Sequence, residues 1–113
     1  MKRMGAVAAV VAVSAVGLAG AGAAGGATSS VTVDDNFFRP KAKTISPGDS
    51  IRWVWRGEIS HNVTGMTRSG RVAFRSRTTA RRGYRYTKRF RRAGRYRVIC
   101  TLHSGMTMTV RVR

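Results

Sequence analysis

The sequence predicts an all-β domain, a sandwich of antiparallel strands that occupies residues 28–113. From Val31 onward, short runs of alternating apolar and polar residues are separated by turn residues, and no run has the 3.6-residue period of a helix. In the clearest run, Ile51, Trp53 and Trp55 share one face. About eight such runs fit this length, so we expect one small domain without internal repeats.

Residues 1–27 are predicted to be a signal peptide. Lys2 and Arg3 precede an uncharged run of small and apolar residues, which contains Ala-x-Ala patterns at 19–21 and 21–23. Such a segment directs export, so we expect the mature domain in the periplasm, at the cell surface or outside the cell. The alternative is an uncleaved membrane anchor, since the run is long enough to span a bilayer.

The first half of the domain contains three predicted strands separated by turns. They are expected at Val31–Val33, Lys41–Ser46 and Ile51–Arg56. Pro47 and Gly48 occupy the central positions of a type II turn between the second and third strands. Phe37 and Phe38, which follow a turn at residues 34–36, are expected to close one end of the core.

The second half contains further short strands and a basic loop at Arg77–Gly83. The strands are expected near residues 61–64 and at Arg71–Phe74, Tyr84–Phe90, Tyr96–Cys100 and Met108–Val112. Tyr96, Val98 and Cys100 share one face of their strand, so Cys100 is expected to point inward at the strand's end. A tight loop then connects Cys100 to the last strand.

The domain is strongly basic. The formal charge of the chain is +18, and it remains +16 without Lys2 and Arg3. Such a charge favours association with an acidic partner or with an anionic cell surface or membrane, although Arg can also serve only as a solubilising residue. Interleaved Arg and Tyr at residues 81–97 resemble a surface for single-stranded nucleic acid. An exported protein rarely meets that ligand, so nucleic-acid binding is not expected. We expect the protein to be a monomer.

The residues that carry chemistry are the single cysteine and the two histidines of the chain. Cys100, His103 and Met106 have the spacing C-x2-H-x2-M, and His61 lies far upstream. A lone cysteine in an exported chain is a buried thiol, an intermolecular partner or a metal ligand. One thiolate, two imidazoles and one thioether form the donor set of a blue copper site, in which the Met is a weak axial ligand. Met108 also lies nearby and would give a longer spacing after His103.

These residues occur in a longer pattern. It reads G-x-Y-x-V-x-C-x2-H-x2-M from Gly94, with S-H-N-V at 60–63 upstream and V-x-V at 110–112 after it. With this pattern the chain resembles the plastocyanin/amicyanin family of cupredoxins over roughly residues 31–113, and the short ligand loop is most similar to the amicyanin type. The resemblance implies a cupredoxin-like antiparallel Greek-key β-sandwich that binds one type 1 copper ion.

The resemblance also assigns roles to individual residues. It implies that His61, Cys100, His103 and Met106 are the copper ligands, and it favours Met106 over Met108 because the family's axial Met comes four residues before the V-x-V strand. Asn62 resembles a residue that hydrogen-bonds to the ligand loop and so supports the metal ligands. Leu102 and Ser104 stand where relatives often have Pro. Without these prolines the loop is slightly looser, and the reduction potential cannot be inferred from the family.

The function implied is one-electron transfer through Cu(II)/Cu(I) outside the cytoplasmic membrane, without enzymatic activity. His103 would be the more exposed ligand, and its edge beside Leu102 and Gly105 would be the route for electrons. The basic surface would then bind an acidic redox partner protein. The alternative is an extracytoplasmic copper carrier or buffer without redox cycling, because the same ligands bind Cu(I).

Overall fold

A computed structural model describes residues 26–113 of the chain, which form nine strands in two packed sheets. The strands are β1 (Thr28–Asp34), β2 (Phe37–Arg39), β3 (Ala42–Ile45), β4 (Ser50–Trp55), β5 (Thr64–Met66), β6 (Val72–Arg75), β7 (Arg85–Arg89), β8 (Gly94–Ile99) and β9 (Thr107–Val112). The prediction of an all-β sandwich is confirmed. The predicted signal peptide, residues 1–27, lies outside the described residues apart from its last two positions. Within residues 26–113, no helix has the length and hydropathy to cross a bilayer.

The two sheets contain five and four strands. The five-stranded sheet has the order β3-β9-β8-β5-β6, and the four-stranded sheet has the order β2-β1-β4-β7. Most neighbouring strands are antiparallel, but β1 pairs with β4 and β3 pairs with β9 in parallel. Between β1 and β4 the chain crosses to the opposite sheet, where it forms β3, and such a crossover returns it in its original direction.

The core lies between the sheets and follows the predicted alternation. Ile51, Trp53 and Trp55 of β4 are at most 1% exposed, and the inner face of β9 is buried. It consists of Met108, Val110 and Val112. The prediction for Phe37 and Phe38 is wrong in one respect, because only Phe38 enters the core. Neighbouring residues of a strand point to opposite faces, so Phe37 is half-buried on the outside.

The two ends of the sandwich differ. One end carries the turn at residues 46–49, where the Asp49 N–H donates to the Ser46 carbonyl at 3.0 Å and Gly48 has a φ of 98°. A positive φ at this third turn position is the feature that a type II turn requires. The opposite end carries the loops at residues 56–63, 76–84 and 100–106. We call this second end the ligand end, because all four predicted copper ligands lie in its loops.

Candidate metal centre

The loop at residues 100–106 begins where β8 ends. Cys100 continues the alternation of β8 and is buried beneath the loop. The Cys100 N–H donates to the Met106 carbonyl at 3.1 Å, and the N–H groups of His103 and Met106 donate to the carbonyls of Cys100 and His103 at 3.3 and 3.2 Å. Gly105 has a φ of 84°, a backbone conformation that residues other than glycine disfavour. The main chain alone therefore holds these three residues in one closed turn.

His61 reaches the same place from another part of the chain. An isolated bridge to Thr79 fixes its backbone through hydrogen bonds of 3.0 and 3.1 Å. The Cys100 Sγ lies 3.9 Å from His61 Nδ1, and the centroids of the His61 and His103 rings are 4.8 Å apart. One ligand atom from each of His61, Cys100 and His103 falls within 4.8 Å of the others. His61 and Cys100 are buried, and His103 is half-buried.

Hydrogen bonds at the outer nitrogen of each imidazole define which nitrogen can bind a metal. His61 Nε2 lies 2.8 Å from Asp35 Oδ1, and His103 Nε2 lies 3.0 Å from the Ser60 carbonyl oxygen. Carboxylate and carbonyl oxygens only accept, so each neutral imidazole carries its proton on Nε2. Nδ1 of each ring is then the nitrogen with an available lone pair, and in His61 it faces Cys100 Sγ. The bond from His61, followed by those from the backbone N–H groups of Glu58 and Ile59, lowers the pKa of Asp35.

The donor set and its burial fit copper. The sulfur of Cys100 and one ring nitrogen from each histidine converge, and a thiolate with imidazoles suits a copper ion. Met106 is 1% exposed and belongs to the same closed turn as Cys100 and His103. The Sδ atom of Met108 instead accepts a hydrogen bond of 3.4 Å from Trp53 Nε1 in the core. The two methionines therefore have different surroundings, although they are two residues apart.

Asn62 connects the loop of His61 to that of Cys100. Its Nδ2 donates to the Thr101 Oγ1 at 2.8 Å and to the Thr78 Oγ1 at 3.1 Å. Its Oδ1 accepts from the Thr101 N–H at 3.2 Å and from the Thr64 hydroxyl at 3.0 Å. The side chain is 3% exposed, so these bonds satisfy a buried amide. It directly tethers the residue that follows Cys100.

Asp35 is the site residue that the sequence analysis missed. It follows β1 and is separated from His61 by 26 residues. The sequence assigned it only to a turn, because no local pattern links a turn carboxylate to a histidine that far away. The sequence therefore offers no signal from which this contact could have been predicted.

Two exposed apolar residues lie next in the chain to residues at the exposed edge of the cluster. Leu102 is 50% exposed and Ile59 is 44% exposed. Leu102 precedes His103, and Ile59 precedes Ser60, whose carbonyl accepts from the His103 ring. Each partner of the His103–Ser60 hydrogen bond is therefore preceded in the chain by an exposed apolar residue. A cleft beside it is lined by Arg97, Ile99 and residues 100–107.

Comparisons with known proteins agree on one family. The family described as copper binding proteins, plastocyanin/azurin family, matches residues 27–113. Among curated protein sequences, none matches this chain. A novel purple cupredoxin from Nitrosopumilus maritimus has a similar structure, with 21% identity and a TM-score of 0.68 over 75% of this chain and 99% of that one.

Two further solved structures are similar. A reduced amicyanin variant is 24% identical, with a TM-score of 0.66 over 76% of this chain and 82% of that one. A copper-containing nitrite reductase from Thermus scotoductus SA-01 is 24% identical, with a TM-score of 0.67 over 75% of this chain. The chain spans only 22% of that reductase. At these identities the structural likeness shows the fold.

Proposed function

Because this chain belongs to the plastocyanin/azurin family of copper-binding proteins, we propose that it is a type 1 blue copper protein that carries single electrons outside the cytoplasmic membrane. The observation that carries the proposal is the convergence of His61, Cys100 and His103 within 4.8 Å at one end of the sandwich. When bound, copper supplies the one-electron Cu(II)/Cu(I) couple, which this donor set suits in both oxidation states.

In this proposal each ligand has a defined role. Cys100 would provide the thiolate, and His61 and His103 would each bind through Nδ1, because Nε2 of each ring is engaged in a hydrogen bond. Met106 would provide the fourth and weaker donor, its thioether sulfur. The bond from Trp53 to the Met108 Sδ supports this choice, because it occupies Met108 in the core.

The chain's own residues would limit rearrangement when the metal changes charge. Backbone hydrogen bonds close the turn from Cys100 to Met106, and Asn62 ties Thr101 to the opposite loop. A ligand set that is held by such contacts needs little reorganisation between oxidation states, which favours fast electron transfer. We therefore assign Asn62 a supporting role at the site.

The edge of His103 is the proposed route for electrons. It is the one half-buried residue of the cluster, and Leu102 and Ile59 give its surroundings an apolar character. An apolar contact brings a partner close and excludes water from the contact area. The chain has two histidines, and both serve as ligands here, so none remains for a second copper site or for acid–base catalysis. We propose a carrier, not an enzyme.

The proposed partner is an acidic redox protein that meets the outer face of the five-stranded sheet beside this edge. Arg95 and Arg97 of β8 are exposed there, Arg111 of β9 pairs with Arg95, and Thr109 pairs with Arg97. The five strands contain no Asp or Glu. Rates of reaction with an acidic partner should fall as ionic strength rises, and rates that are independent of salt would contradict this surface.

Visible and EPR spectra of the purified protein after loading with Cu(II) test the function, with Cys100→Ser as the control. We expect an intense thiolate-to-copper band that the control lacks, and a reversible one-electron reduction by voltammetry. A protein that binds Cu(I) tightly but gives no such band would instead be an extracytoplasmic copper carrier.

A further inference from the structure

Asp35 is enclosed by the loop that leads to His61. Its Oδ1 lies 2.8 Å from His61 Nε2 and accepts from the N–H groups of Glu58 at 3.0 Å and Ile59 at 3.2 Å. Its Oδ2 accepts from Glu58 at 3.1 Å. A Cβ added at Gly57 would lie 2.2 Å from Oδ1, so the close approach of this loop requires a glycine. These hydrogen bonds fix the position of the Asp35 carboxylate.

The contact gives His61 a partner that His103 does not have. His61 is 0% exposed, and a buried N–H without an acceptor would destabilise the fold. The acceptor for His61 is an anion, whereas the acceptor for His103 is the neutral carbonyl of Ser60. A carboxylate on the outer nitrogen of a ligating imidazole fixes its orientation and makes it a stronger donor.

We propose that Asp35 both orients His61 and lowers the reduction potential of the copper site. This proposal rests on the function proposed above. Only the imidazole ring of His61 would separate the negative charge of Asp35 from the metal. This charge attracts a doubly charged ion more strongly than a singly charged one. It therefore stabilises Cu(II) relative to Cu(I). The side chain of Asp35 is 35% exposed, so water reduces this effect but does not abolish it.

Asp35→Asn tests the charge, because the amide keeps the shape and one acceptor oxygen. Asp34→Asn is the matched control, since it makes the same charge change at the neighbouring residue, which has no contact with His61 in the described hydrogen bonds. Competition with chelators measures the affinities for Cu(II) and Cu(I) separately, and voltammetry measures the potential. Far-UV CD and thermal unfolding establish that each variant is folded.

We expect Asp35→Asn to weaken Cu(II) binding about 10–100-fold, the usual range for outer hydrogen-bond partners of a metal ligand. Cu(I) binding should weaken less. Each tenfold difference between the two raises the potential by about 59 mV for a one-electron couple. Asp34→Asn should leave the ratio of the two affinities close to that of the wild type.

Gly57→Ala provides a second route should Asp35→Asn fail to fold. Its Cβ would displace the carboxylate without changing the charge of the protein, so the ratio should move in the same direction by a smaller factor. Equal weakening of both oxidation states, or equal effects of Asp35→Asn and Asp34→Asn, would overturn the proposal. A wild-type protein that binds no copper would instead overturn the function on which it rests.

Discussion

The methionine pair gives the sharpest test of the site. Met106 and Met108 are 1% and 3% exposed, and replacement of either by Leu nearly conserves its volume. Such a replacement costs less than about 1.5 kcal/mol of packing free energy. Met108→Leu also removes the Sδ atom that accepts a hydrogen bond of 3.4 Å from Trp53 Nε1. Trp53 is 0% exposed. The buried N–H left without a partner costs about 1–3 kcal/mol more.

The two variants should therefore rank in opposite orders in two assays. In urea unfolding of the copper-free protein, followed by Trp fluorescence, Met108→Leu should lose about 1–3 kcal/mol more of the free energy of unfolding than Met106→Leu. In visible and EPR spectra of the Cu(II)-loaded protein, Met106→Leu should change the band and the potential, because it removes the axial thioether. Met108→Leu should leave both close to wild type.

A third variant isolates the contact within the core. If the bond from Trp53 to Met108 causes the difference in stability, then Met108→Leu should cost less when Trp53→Phe is already present. Equal stability losses in the two single variants would refute the hydrogen-bond argument. A copper spectrum altered by Met108→Leu and unaltered by Met106→Leu would refute the ligand assignment and make Met108 the axial ligand.

Three further predictions concern the support around the site and the fold. Asn62→Ala should lower Cu(II) affinity about 10–100-fold in chelator competition, because Thr101 loses its tether, and unchanged affinity would contradict that role. Gly65→Ala should cost about 1–3 kcal/mol in urea unfolding, since its Cβ would lie 2.0 Å from the Phe74 ring, and the addition of Phe74→Leu should recover part of the loss. Hydrogen bonds from backbone N–H groups lower the pKa of Asp49, so its stabilising effect is present above about pH 4 and is lost as the pH falls through the lowered pKa. The difference in urea midpoint between wild type and Asp49→Asn should therefore be present at neutral pH and vanish in acid, and a constant difference would contradict this.

Local patterns predicted the parts of the structure that depend on near neighbours. The alternation in Ile51–Trp55 identified buried residues, because a strand has a period of two whatever its partners are. The spacing from Cys100 to Met106 predicted one loop, since three ligand types within seven residues can be brought together by a single turn.

Contacts between distant segments could not be predicted in this way. The bond between Asp35 and His61 depends on how two loops meet, and the sequence contains no local trace of it. β1 begins at Thr28, earlier than predicted, because six parallel pairs with β4 extend it through residues of low apolar character. The parallel pairing of β1 with β4 could not be predicted either, because the alternation of apolar and polar residues is the same in parallel and antiparallel strands.

The path of β1 determines how the domain can be attached to a solid support. Ala27, just before β1, is fixed at the far end of the sandwich by bonds to Asp49 and Ser50, whereas Asp35, just after it, contacts His61. The seven residues of β1 lie between them, so the eight steps from Ala27 to Asp35 span about 26 Å. A linker placed before Ala27 and fixed to an electrode would therefore hold the His103 edge outward, free to exchange electrons with molecules in solution. Direct exchange with the electrode itself would require attachment near the ligand end.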